Sequence, residues 1–95
     1  MQGLAFEWDG KKETANRWKH NVGFADASTV FGDPLSITIP DPDHAAGEER
    51  FLIIGMSSVR KLLVAVHTMK GERIRIISAR LATQHERPNY QETSL

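Results

Sequence analysis

Leu62-Leu63-Val64-Ala65-Val66, then Met69-Lys70-Gly71, then Glu72-Arg73-Ile74-Arg75-Ile76-Ile77-Ser78-Ala79 is the stretch on which the fold turns. The first run is almost continuously apolar, as in a strand covered on both faces, although a buried helical segment has the same pattern. Gly71 and the alternation after it convert the run into the first arm of a hairpin. In the second arm, side-chain alternation predicts Ile74, Ile76 and Ser78 on one face and Arg73, Arg75, Ile77 and Ala79 on the other. Upstream, Arg50 to Met56 reads as another apolar strand. Leu35-Ser36-Ile37-Thr38-Ile39 alternates cleanly until Pro40 stops it.

The first third of the chain has a different rhythm. Leu4-Ala5-Phe6-Glu7-Trp8 is a short strand candidate, and Asp9 is suited to cap a helix running from Gly10 to about His20, with Gly23 as the stop. At about 100° per residue, Ala15, Trp18 and Val22 gather on one stripe, predicted to be buried. Lys12, Asn16, Lys19 and His20 form a second stripe about 110° away, flanking the core like the rim of a cleft. Phe24, Ala27, Val30 and Phe31 repeat at helical intervals until Asp33-Pro34. Near the C-terminus, Thr83-x-x-Glu86 is a capping box that should open a last helix, which Pro88 shortens and distorts. The fold class predicted is α+β: a small antiparallel sheet with two N-terminal helices and a short C-terminal helix, in one domain over 1–95.

The whole chain has 95 residues, with 12 Lys+Arg against 12 Asp+Glu. Its hydrophobic fraction of 40% is that of an ordinary globular domain. The absence of cysteine excludes a disulfide framework, a thiolate zinc site and a cysteine nucleophile. No apolar run approaches the roughly 20 residues of a membrane span, and the N-terminus lacks a secretion-signal pattern, so a cytoplasmic setting without membrane attachment is predicted. Zero net charge argues against unsorted phosphate binding, but the charges are sorted. Residues 41–49 hold Asp41, Asp43, Glu48 and Glu49 and no base, whereas residues 70–87 hold Lys70, Arg73, Arg75, Arg80 and Arg87 against Glu72 and Glu86.

Candidate chemistry follows from these groupings. His20 beside Lys19 has two readings: an acid–base pair at a phosphate, or side chains favouring the negative end of a helix, and spacing alone favours the second. Asp41, Asp43, His44, Glu48 and Glu49 match no hard-cation loop and read as a solvated hairpin connection. His67, on the face of Leu63 and Ala65, reads as a packed core histidine. Arg73, Arg75 and Arg80 offer planar, bidentate donors for phosphate, with surface ion pairs to Glu48, Glu49 or Glu72 as the alternative. Glu86 and Tyr90 would share a face of the terminal helix. There is no Gly-rich phosphate loop, Ser-His-Asp order or histidine-rich zinc pattern.

Taken together, Phe6-Glu7-Trp8-Asp9, Lys12, Asn16, Lys19-His20, Phe24 with Ala27, Glu48-Glu49-Arg50-Phe51, Gly55 with Ser57, Arg75-Ile76-Ile77-Ser78-Ala79-Arg80 with Ala82, and Glu86-Arg87 with Tyr90 form a longer pattern. It resembles the BrnT toxins of bacterial type II toxin–antitoxin systems. The resemblance implies a RelE-like fold and a metal-independent ribonuclease, without cofactor, that cuts RNA, chiefly mRNA, and arrests translation and growth. It also implies a BrnA-type ribbon-helix-helix antitoxin, through which alone operator DNA would be contacted. Carried onto the matched positions, the expected catalytic set is His20, Lys19, Arg80, Glu86 and Tyr90, with Arg75, Lys12 and Asn16 on the substrate and His67 in reserve. His20 would move a proton, Arg75 and Arg80 would clamp phosphate, and Lys19 would stabilise charge. The rival reading is a non-catalytic module that pairs with a DNA-binding partner through an apolar, groove-forming surface.

Overall fold

The computed structural model describes residues 3–43 and 47–90. Its centre is the hairpin anticipated above: β4 (Leu62–Lys70) antiparallel to β5 (Arg73–Leu81), with Gly71 at φ 63° in the left-handed region that its missing Cβ makes accessible. β3 (Phe51–Met56) pairs antiparallel with β4, and β2 (Ile37–Pro40) with β3. The opening strand β1 (Ala5–Glu7) lies parallel to β5 on its other side, so the five-stranded sheet of order β1-β5-β4-β3-β2 is mixed rather than purely antiparallel as predicted. β4 outlasts its apolar run because His67 and Thr68 continue the ladder.

α1 (Gly10–His20) is capped by Asp9, whose carboxylate accepts from the Lys11 amide at 3.0 Å. It stops at Asn21 (φ 58°) rather than at Gly23. Gly23 instead precedes α2 (Phe24–Ser28), and a Cβ there would lie 3.2 Å from Glu13 Oε2, the oxygen that accepts the Phe24 amide. The second predicted helix is a single α turn continued by a 3-10 turn over Thr29–Gly32.

The sheet has two unlike faces. On one, Val22, Phe24, Ala27 and Val30 pack with Ile53, Leu63, Ala65, Ile76 and Ala79, joined by Phe6, Trp8 and Phe31. On the other, Ile54, Leu62, Val64 and Tyr90 form a smaller cluster with Leu35, Ile37, Leu52, Met56 and Ala82. Asp33 stitches the ends of this second layer: its carboxylate accepts from the amides of Leu35 (2.9 Å) and Met56 (2.7 Å) and from the Tyr90 hydroxyl (2.5 Å). Those hydrogen bonds outweigh burial, which acts against the charge, and hold the Asp33 carboxyl below its ordinary value.

Two further expectations are corrected. Trp18 is not part of the core but 87% exposed, and Ala15 is exposed with it; the buried residue of α1 is Asn16. The terminal helix is absent among the described residues. Its capping box forms, with Thr83 N donating to Glu86 Oε1 at 2.9 Å and Glu86 N to Thr83 Oγ1 at 3.2 Å, but only a 3-10 turn over Arg87–Asn89 follows. Pro88 supplies no amide for an α turn. Of the acidic connection, His44 lies outside the described residues; Asp41 accepts from the Asp43 amide, and Arg50 pairs with Glu48 at 2.9 Å.

Candidate functional site

The register of β5 contains one irregularity. Val66 opposes Ser78 but His67 opposes Ile76, so Ile77 is an extra residue, a β-bulge. Ile76 and Ala79 therefore both face the helices, and Ser78 does not share the face of Ile76 as predicted. The same bulge places Arg75 and Arg80, five positions apart, on one face. Arg80 stands beside its cross-strand neighbour Val64 on the side away from the helices. Arg75 stands opposite Glu7, whose neighbour Phe6 turns toward them.

Each of these arginines is held by a carboxylate, though by none of those anticipated. Arg75 Nη1 donates to Glu7 Oε2 at 2.7 Å. Arg80 grips both oxygens of Glu86, at 2.7 and 2.8 Å, in a bidentate fork. Arg80 chiefly, with help from Thr83, pulls the Glu86 carboxyl down to about 2. In return, the hydrogen bonds that Arg80 donates to Glu86 raise the guanidinium above its ordinary value. A carboxylate that weak in basicity is ionised at every physiological pH and orients the guanidinium better than it accepts protons.

α1 reaches this strand from its open edge. β1 covers β5 only at Arg73–Arg75, and beyond it Asn16 replaces a strand: Nδ2 donates to the Ala79 carbonyl at 2.8 Å and Oδ1 accepts the Ala79 amide at 3.1 Å. Nδ2 also donates to the Val22 carbonyl at 2.9 Å. The Asn16 amide is thus committed to the scaffold, next to Arg80. Lys12, Lys19 and His20 are its neighbours one turn away along the helix. Among the described residues, none of the three has a side-chain hydrogen bond or ion pair.

Two predicted residues lie elsewhere. The Tyr90 ring is buried in the second cluster, with its hydroxyl on Asp33. His67 is buried on the helix face, its ring edge-on to Phe31 (4.8 Å between centroids) and tilted against Phe51 (5.7 Å). Among the described residues its Nδ1 has no hydrogen-bond partner, and burial pushes its pKa down. Sequence reasoning did not single out Asp33 as a hub or Glu7 as the partner of Arg75. The cross-strand pairing that would reveal either is non-local. Among the described residues, no three His, Asp or Glu side chains gather as a metal set. Beside the Arg80–Glu86 pair, the uncovered sheet face holds an apolar groove of about 420 Å³, lined by Ile37, Ile39, Leu52, Ile54 and Val64, with Glu86 and Asn89 at its rim.

Fold and site together define a small α+β protein with cations ranged on and beside an edge of its sheet. A family model described as the ribonuclease toxin BrnT of type II toxin–antitoxin systems matches residues 8–86, and the chain belongs to that family. The crystal structure of the Brucella abortus ribonuclease toxin BrnT is similar in fold, with a TM-score of 0.67 at 22% identity, covering 86% of this chain and 100% of that one. None of the curated protein sequences matches. Membership implies an RNA substrate and an antitoxin partner.

Proposed function

We propose that this protein is a metal-independent endoribonuclease, acting chiefly on mRNA, whose cleavage arrests translation and growth. Its neutralising partner in this reading is a BrnA-type ribbon-helix-helix antitoxin, which alone carries the pair to operator DNA. The observation that carries the proposal is the alignment of Arg75 and Arg80 on one face by the Ile77 bulge. By the usual rise per residue they stand about 15 Å apart along the strand, a spacing suited to different phosphates of one RNA strand. RNA brings its own nucleophile. The 2′-hydroxyl loses its proton to a base and attacks the adjacent phosphorus. The P–O5′ bond breaks, and the departing oxygen takes up a proton, leaving a 2′,3′-cyclic phosphate.

In this scheme His20 moves the proton and Lys19 and Arg80 offset charge on the phosphorane-like transition state. Lys12 and Arg75 hold flanking phosphates. Asn16 keeps α1 in place, Glu86 orients Arg80, and Tyr90 fixes the C-terminal segment that carries Glu86. His67 remains a buried reserve. Incubating purified protein with end-labelled RNA, with and without EDTA, tests the reading: cleavage that persists in EDTA and leaves cyclic phosphate ends supports it, and loss of cleavage in EDTA refutes metal independence.

One observation favours the non-catalytic reading, the apolar groove beside Glu86, which suits an apolar segment of a protein. No cleavage by folded protein, together with tight binding of a partner, would select it.

A further inference from the structure

α1, like β5, carries a strong excess of positive charge in a neutral chain. Its sequence, GKKETANRWKH, carries four Lys or Arg residues against one Glu, and that Glu13 is paired with Arg17 at 3.2 Å. Lys11, Lys12 and Lys19 are exposed and, among the described residues, have no side-chain hydrogen bond or ion pair. With Asn16 directed at the β5 edge, helical geometry puts Trp18 about 160° away, facing outward. Lys12, Lys19, Ala15 and Lys11 fill the arc between them on one flank, while Glu13 and Arg17 occupy the other. A cationic track therefore runs around the helix from the Ala79 edge to the indole.

Among the described residues, Trp18 is the most exposed of the large hydrophobic residues, at 87%. The other tryptophan, Trp8, packs edge-on against Phe24 at 6.0 Å, as a core indole does. Shallow hollows flank the Trp18 ring, one floored by Thr14 and Ala15 and reaching Lys11 and Asp9, whose carboxylate is taken up by the Lys11 amide, the other lined by Thr14 and Arg17. An indole left in water, sharing a hollow with Lys11 on a helix that also exposes Lys12 and Lys19, has the composition of a single-strand platform: a π-face for a base and cations for phosphates along the strand. The charge selects a polyanion over an apolar protein segment.

We propose that the outward face of α1 is a binding subsite for single-stranded RNA, with Trp18 stacked on a base and Lys11, Lys12 and Lys19 alongside neighbouring phosphates. The subsite rests on the ribonuclease reading and extends it, since it anchors the strand outside the scissile position and guides it toward the β5 edge. Its ligand is recognised by stacking and charge, so it is tolerant of base identity.

Binding is best read with a fluorescein-labelled, 2′-O-methylated oligoribonucleotide, which cannot be cleaved, by anisotropy at low and moderate salt. Trp18→Ala should weaken binding about 5- to 150-fold, Trp18→Phe should retain most of the affinity, and the duplex of the same sequence should be little affected. Lys11→Gln should flatten the slope of log affinity against log salt by about 0.7. Thermal midpoints should match the wild type, because both side chains are exposed. Wild-type affinity in Trp18→Ala, with RNA cleavage by the parent intact, overturns the subsite and leaves the ribonuclease reading standing. Failure of the parent to bind the oligonucleotide while it still cleaves RNA overturns the subsite alone, and failure both to bind and to cleave overturns both. Loss of antitoxin binding in Trp18→Ala, with RNA binding intact, assigns the face to a protein and overturns the subsite.

Discussion

Asn16 and Ala79 form a two-point hydrogen-bonded pair across the free edge of β5, with the side-chain amide donating at 2.8 Å and accepting at 3.1 Å. The pair holds a helix whose apolar residues mostly face water, a task usually left to hydrophobic packing. Asn16→Ala leaves the Ala79 amide and two carbonyls short of partners inside the protein, and should cost about 2–4 kcal/mol in urea denaturation. Asn16→Asp should be no better, because a carboxylate cannot donate to the Ala79 and Val22 carbonyls.

The Arg80–Glu86 fork predicts a division of labour. Arg80→Ala should lower RNA cleavage by about 10²–10³-fold if its charge meets the transition state, in protein with unchanged circular dichroism. Glu86→Gln should cost less, since the arginine remains but is less well aimed. With Glu86 at about 2 in the fold against an ordinary 4.5, the stability from this pair is present above about 4.5 and fades as pH falls toward 2. The acid limb of the activity profile should therefore show no Glu86 step between pH 5 and 7. A step there that vanishes in Glu86→Gln would refute the orienting role.

His67 predicts a pH dependence of the opposite origin. Burial lowers its pKa from the ordinary 6.5, so the unfolded chain takes up the proton first as pH falls. Its contribution to stability is complete above about 6.5 and declines below it, down to the lowered folded value. His67→Phe should reduce the fall in thermal midpoint between pH 7 and 5, whatever its effect at pH 8.

Gly55 lies where the turn over Thr29–Gly32 approaches β3. A Cβ would meet Ser36 Cβ at 3.0 Å, the Val30 carbonyl at 3.2 Å and Val30 Cβ at 3.3 Å. Gly55→Ala should destabilise by about 1–3 kcal/mol, as overpacking does, measurable as a lower urea midpoint at unchanged slope.

The strands from Leu35 to Leu81 were legible because apolar alternation and turn residues are local signals. The exposed Trp18 was not, because a helical wheel equates apolar with buried, whereas α1 is attached through a polar side chain. The arginine strand could be read, but Glu7 could not be named as a partner without the parallel pairing of β1 with β5. Nor could the bulge be seen, since Ile76 and Ile77 are the same residue type and either one could be the odd one out.

That odd residue sets a parity. Positions 75 and 80 differ by an odd number, so a perfectly regular ladder would send their side chains to opposite sides of the molecule. Ile77 restores the count to even. Forcing all five steps into a flat ladder would separate the two cations, whereas deleting this uncharged isoleucine together with its bulge would leave them four steps apart and still side by side.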